Sequence, residues 1–298
     1  MNMPFQAIDS EALILLRVLS GDRADRYLAE ITLPHLQSAL RAPSPRLDDI
    51  RAELRDPYSC VRAFYSHYAF ARRGKDRAEL GQIASVALSR IASKETFAEV
   101  LSEPNGESIW QAFSEICVER NRKNPEQLNQ GLIAGILELA QEIFRHDGVG
   151  SIAQWIERSV MATDRIEAPF LRLVDIRGVG PKTTSTFLRD VCFLLNLEDQ
   201  LDPKDRLFIQ PIDRWTRQVA EIVVPELRDH HAADWVIAGK LAKYTRRAGV
   251  SGIRFNMGTT YFGLREARDL ARVRPALREL LSEHLATIDS LQPEGPPK

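Results

Sequence analysis

No purely apolar run in this 298-residue chain is longer than Ala12–Leu16. A bilayer-spanning helix needs roughly 20 such residues, so a transmembrane helix is excluded. The basic, apolar and small-residue succession of a secretory signal does not open the chain. Cysteine is scarce, with Cys60, Cys117 and Cys192 far apart. Three thiols make no disulfide framework and fall short of the four thiolates of an iron–sulfur cluster. They read as lone buried thiols in a reducing compartment, and the expected location is the cytoplasm. The six histidines form no ligand cluster, His230-His231 reads as surface, and no metal motif is present. Charge of one sign is also lacking: 40 basic and 41 acidic residues leave a net −1, which argues against a DNA binder, whose usual footprint is basicity of the whole domain.

Strand-like alternation and internal repeats are missing too, while helical periodicity is nearly everywhere. The fold class is all-α. The clearest case is Gln127–Phe144, where Leu128, Leu132, Ile136, Leu139 and Ile143 are spaced four, four, three and four. It stops at Arg145-His146-Asp147-Gly148, a basic last turn followed by glycine. Further helices are expected at Glu11–Leu19, Tyr58–Arg72, Leu80–Ile91, Ile152–Val160, Arg165–Asp175 and Lys182–Asn196. Beyond these, helices are expected near Ile212–Val223, Ala232–Arg247, Ser251–Ala267 and Pro275–Ile288. Residues 197–209 read as a polar, irregular connection and Gln292–Lys298 as a proline-rich tail.

Basic residues are concentrated rather than abundant. Between Val236 and Gly258 stand Lys240, Lys243, Arg246, Arg247 and Arg254 without one acidic residue. Lys240, Lys243 and Arg247 recur at helical spacing and share a face. That face is either a solvated surface or a track for phosphates.

Two local patterns carry chemistry. In the first, Leu173–Thr183 (LVDIRGVGPKT), an apolar helix runs into Gly178-Val179-Gly180, and Pro181-Lys182 opens a second amphipathic helix. Glycines on either side of one apolar residue allow a reversal too tight for side chains, and proline suits a first helical turn. A helix N-terminus presented this way attracts an anion such as a phosphate. In the second pattern, Gln210-Pro211-Ile212-Asp213-Arg214-Trp215-Thr216-Arg217 sets an aspartate before a helix. Taken alone, Lys182 can pair with phosphate, and Asp213 can cap its helix or pair with Arg217.

Together the two segments resemble the helix-hairpin-helix and the catalytic-aspartate segment of the HhH-GPD DNA glycosylase superfamily. The matching part covers about residues 170–220. The resemblance implies two helical subdomains, 57–197 with the helix-hairpin-helix and 1–56 plus 198–298 with the aspartate, flanking a cleft. It implies a DNA glycosylase with AP lyase activity, acting as a monomer on double-stranded DNA whose target nucleotide is flipped out, in the nucleoid. Lys182 takes the position of the Schiff-base nucleophile and Asp213 that of the transition-state stabiliser. A lysine attacks only as the neutral amine, and the positive end of a helix dipole disfavours an ammonium charge. Arg177, Gly178, Val179, Gly180, Thr183, Arg214, Arg217, Lys240 and Arg247 are the expected DNA contacts. No cofactor is required, although the motif allows a monovalent cation on the hairpin carbonyls.

Two departures from the family pattern bear on the substrate. The interval from Lys182 to Asp213 is 31 positions, long for the superfamily and like that of its archaeal 8-oxoguanine glycosylases. Where that branch carries an acidic residue and, four positions on, a tryptophan, this chain has Asn256 and Thr260 as base-pocket candidates. Smaller side chains there suit a bulkier base, such as a hypermodified phage nucleobase. A non-catalytic helix-hairpin-helix module that grips DNA backbone is the competing expectation.

Overall fold

The computed structural model describes residues 8–70, 77–103, 106–123, 126–148, 151–228 and 231–291; among them every regular element is helical and none is a strand. The tail Gln292–Lys298, His230 and the expected end of one helix at Arg72 lie outside the described residues. No helix among the described residues is long and apolar enough to cross a membrane.

Helix starts follow local chemistry. Asp56 accepts from the Ser59 amide at 2.8 Å just ahead of Pro57, Ser151 from Gln154 and Ser251 from Arg254. These are side-chain caps on otherwise unsatisfied first-turn amides.

Backbone contacts divide the chain into two compact units, Ala29–Pro211 and Met1–Leu28 joined to Ile212–Lys298. Residues 29–56 and 198–211, expected in the second subdomain, thus belong with the larger unit. The reasons are specific. Arg62 donates to the Ala39 carbonyl, and Arg55 makes a two-pronged pair with Glu157 at 2.6 and 3.2 Å. The connection after Asn196 is not irregular either: it forms two short helical turns, Glu198–Gln200 and Asp205–Ile209. Asp205, 1% exposed, accepts from the amides of Ile166 at 2.8 Å and Glu167 at 3.1 Å and pairs with Arg165 at 2.9 Å. A carboxylate from this loop therefore caps the helix Glu167–Val174, and Phe208 packs on Phe170, ring centroids 4.6 Å apart.

In the larger unit, Phe64, Tyr68 and Phe187 form an aromatic cluster with centroids 4.8–5.9 Å apart, Phe187 meeting the other two rings edge-on. It joins the helix Pro181–Leu194 to the stretch that continues Pro57–Ala63. The Tyr68 hydroxyl donates to Asp190 at 3.0 Å, and Asp190 is also held by Arg189 at 2.8 Å, so this buried ion pair has its oxygens satisfied. The stripe expected on Glu126–Asp147 is broader than the periodicity suggested. Leu128 is exposed, while Ile133, Leu137 and Ala140 join Leu132, Ile136, Leu139 and Ile143 inside.

In the smaller unit the helix Gly252–Tyr261 lies against residues 19–27. Gly258 permits the approach, since a Cβ there would sit 1.8 Å from the Leu19 carbonyl oxygen. Arg254 closes the same junction by donating to the Ser20 carbonyl at 2.8 Å and pairing with Asp25 at 2.8 Å. Trp215 is buried, with Gly263 leaving room for its ring. Backbone cannot be pushed aside as a side-chain end can, so Gly258→Ala should cost about 2–4 kcal/mol, read as a lower urea midpoint.

His67 packs beside His35 and Tyr68. Burial lowers its pKa to about 4 against the pull of Asp190, with smaller lowering contributions from His35 and Arg189. The folded state thus holds a neutral imidazole where the unfolded chain protonates near the ordinary value of about 6.5. Stability should be complete above pH 6.5 and fall as the pH drops towards 4, by up to about 3 kcal/mol. Chemical denaturation at stepped pH checks this; His67→Phe should flatten the profile over that window.

Candidate functional site: a glycine turn and a capping aspartate

In the larger unit, the helix Glu167–Val174 ends at Asp175, residues 176–180 turn, and Pro181–Leu194 begins. The turn is anchored by its apolar residues. Ile176 and Val179 are buried, and the Val179 amide donates to the Ile176 carbonyl at 2.9 Å. Gly178 has φ +97°, which a side chain would strain.

The seat of this turn is a pair of glycines one helical turn apart on Glu126–Asp147. A Cβ on Gly135 would lie 2.8 Å from Ile176, and one on Gly131 would lie 2.9 Å from the aliphatic part of Arg177. Hydrophobic periodicity could not disclose this seat, because glycine contributes nothing to the pattern it reads. The signal that was there is two glycines at i, i+4 inside a strongly predicted helix.

Several expected contacts of the turn need revision. The Val179 amide is engaged within the turn and is not an outward donor. Pro181 has no amide. Gly180, the residue before the helix, makes no side-chain cap, so the first-turn amides of Lys182 and Thr183 are the donors this helix end presents. Lys182 is exposed, Arg177 is exposed and Thr183 half-buried. The Lys182 carbonyl accepts from Thr186 at 2.8 Å.

In the smaller unit Asp213 precedes the helix Arg214–Val223 and caps it. Its Oδ1 accepts from the amides of Trp215 at 2.9 Å and Thr216 at 2.7 Å. Oδ2 lies 3.5 Å from the Thr260 hydroxyl, whose shorter bond runs to the Asn256 carbonyl at 3.1 Å. One carboxylate oxygen is thus firmly held and the other only weakly engaged. Asp213 itself is half-buried.

The two base-pocket candidates separate. Thr260 is half-exposed and next to Asp213, whereas Asn256 is 0% exposed and belongs to the packing.

Expected pairings also change. Arg217 does not reach Asp213; it donates to the Ala232 carbonyl at 2.8 Å and pairs with Asp234 at 2.5 Å. Arg214 is exposed, its guanidinium 4.4 Å from the Trp215 ring. On the helix Asp234–Arg247, Lys240 lies 3.6 Å from Glu226, an acid brought in from outside the basic stretch. Arg247 is half-buried. His231 is exposed and all three cysteines are buried. Among the described residues no three His, Cys, Asp or Glu side chains are grouped to hold a metal ion.

Compared with known proteins, the chain matches no family model, no curated protein and no solved structure.

The cap separates two roles of one side chain. Asp213→Ala removes the acceptor of two amides and should cost about 1 kcal/mol, whereas Asp213→Asn keeps a capping oxygen and should stay within about 0.5 kcal/mol of the parent. Urea midpoints of the two variants, measured side by side, check the difference.

Proposed function

We propose that the protein is a DNA glycosylase with an associated AP lyase activity, in which Lys182 is the nucleophile and Asp213 the electrostatic partner. The observation that carries the reading is the division of labour within Asp213. A carboxylate held through Oδ1 by two amides, with Oδ2 weakly engaged, is oriented without being used up. An oxocarbenium-like transition state at a sugar C1′ calls for such a group. The exposed Lys182 in the first turn of Pro181–Leu194, beside uncapped amides, supports it: the amides suit a phosphate and the amine is accessible.

In the proposed reaction the neutral Lys182 amine forms a bond to C1′ while the bond from C1′ to the base nitrogen breaks, its electron pair leaving with the base. The proton lost by the amine passes to Asp213 and on to the departing base. Opening of the sugar gives an imine to Lys182, and removal of a C2′ proton then expels the 3′ phosphate, nicking the strand. The Lys182 and Thr183 amides and the exposed Arg177 hold the backbone. A monovalent cation would have to sit on turn carbonyls, of which that of Ile176 already accepts from Val179.

The capping bonds of Asp213 also favour a second reading, a non-catalytic module gripping DNA backbone, because an aspartate in that position needs no catalytic duty. Borohydride trapping separates the two. The enzyme should form a covalent adduct with DNA carrying a susceptible base, lost in Lys182→Ala, and excision should fall roughly 100-fold or more in Asp213→Asn, which keeps the fold. Oligonucleotides bearing 8-oxoguanine, alkylated bases or bulky hypermodified bases supply the substrates. DNA binding without adduct or excision on the whole panel would leave the backbone-gripping module.

A further inference from the structure

The helix Asp234–Arg247 carries an outward face that the proposed chemistry does not use. Positions 235, 239, 243 and 246 recur at four, four and three residues and share one side of the helix. They are Trp235, Gly239, Lys243 and Arg246. Trp235 is 71% exposed, whereas Trp215 is buried and Trp110 and Trp155 are half-buried. A tryptophan so exposed forgoes a large apolar burial and leaves its flat ring open to a partner.

Gly239 is the second anomaly. Glycine is disfavoured in a helix interior relative to alanine, and neither backbone nor packing requires it here. Its φ is not positive, and a Cβ would meet nothing within 4 Å. Within the chain the missing side chain serves no contact. It leaves bare backbone one turn from the indole, a flat place for a planar group to approach.

Charge completes the face. Asp234 is tied to Arg217 at 2.5 Å, and Lys240, on the neighbouring side, faces Glu226. Lys243 and Arg246 are exposed and have no ion-pair partner among the described residues. With a rise of about 1.5 Å per residue, Lys243 lies about 12 Å along the helix from Trp235. At about 3.4 Å per phosphate along a strand, that is the span of a few nucleotides.

We infer that this face is a nucleic-acid contact: Trp235 stacks on a base that has lost its partner, the gap at Gly239 lets that base approach, and Lys243 and Arg246 take neighbouring phosphates. Stacking on an aromatic ring suits any base, because every base has a π-face, and cations beside it track the backbone. The inference rests on the reading of the protein as a DNA-binding one and names a second place where that DNA is held.

The test uses the full chain and two labelled duplexes, one with a single unpaired base and one fully paired. Wild type should prefer the duplex with the unpaired base, and its tryptophan fluorescence should be quenched on binding. Trp235→Ala should weaken that binding on the order of 10-fold and abolish the preference and the quenching; Trp235→Phe should retain most of the affinity. Gly239→Leu should leave the melting temperature unchanged or higher yet weaken binding to the unpaired base severalfold. The inference is overturned if Trp235→Ala binds both duplexes as wild type does, or if only Lys243→Ala and Arg246→Ala matter, the sign of a general charged surface. Unchanged borohydride trapping in that case would show that the glycosylase reading survives. Failure of wild type to bind either duplex would remove both.

Discussion

Ile176 occupies the space that a side chain at position 135 would fill. This contact sets where the turn after Glu167–Val174 lies, because Ile176 cannot rise from the helix beneath it without losing its burial. Arg177 is laid over Gly131 by the same geometry, and Val179 closes the turn through its amide. Once these residues are seated, the start of Pro181–Leu194 and the exposure of Lys182 follow. From the other side, Asp205 caps the helix Glu167–Val174 and Phe208 packs against Phe170, so the first helix of the motif is tied to the connection that follows the second. The two glycines fix the place of this helix end by removing atoms.

Asp213 shows what a helix cap uses of a carboxylate and what it leaves over. A helix cap needs an acceptor within reach of two amides, and one oxygen of a carboxylate suffices. The second oxygen is surplus to that role. Thr260 stands near it, but its hydroxyl proton is better placed towards the Asn256 carbonyl. A carboxylate fixed by its own helix needs no further partner to keep its orientation, and the proposed function makes use of that.

Electrostatics along the basic stretch are redistributed by folding. The run from Val236 to Gly258 carries no acid of its own, yet Glu226 faces Lys240 and Asp25 takes Arg254. Surface pairs of this kind contribute little stability, but they decide which cations are left unpaired. What is left is the side of the helix with Lys243 and Arg246, beyond Trp235 and Gly239.

The all-α class, the positions of most helices and the tight turn at Gly178 were legible in the sequence, because helical periodicity, proline at a helix start and glycine in a tight turn act within a few residues. The capping role of Asp213 was open to the same local reasoning, as one of several alternatives. The seat on Gly131 and Gly135, the capping of Glu167 by Asp205, the withdrawal of Asn256, and the pairing of Arg217 with Asp234 and of Lys240 with Glu226 were not. Each joins residues from separate helices or loops. Spacing along a chain reports which side of a helix a residue occupies, but only packing in three dimensions chooses what that side meets.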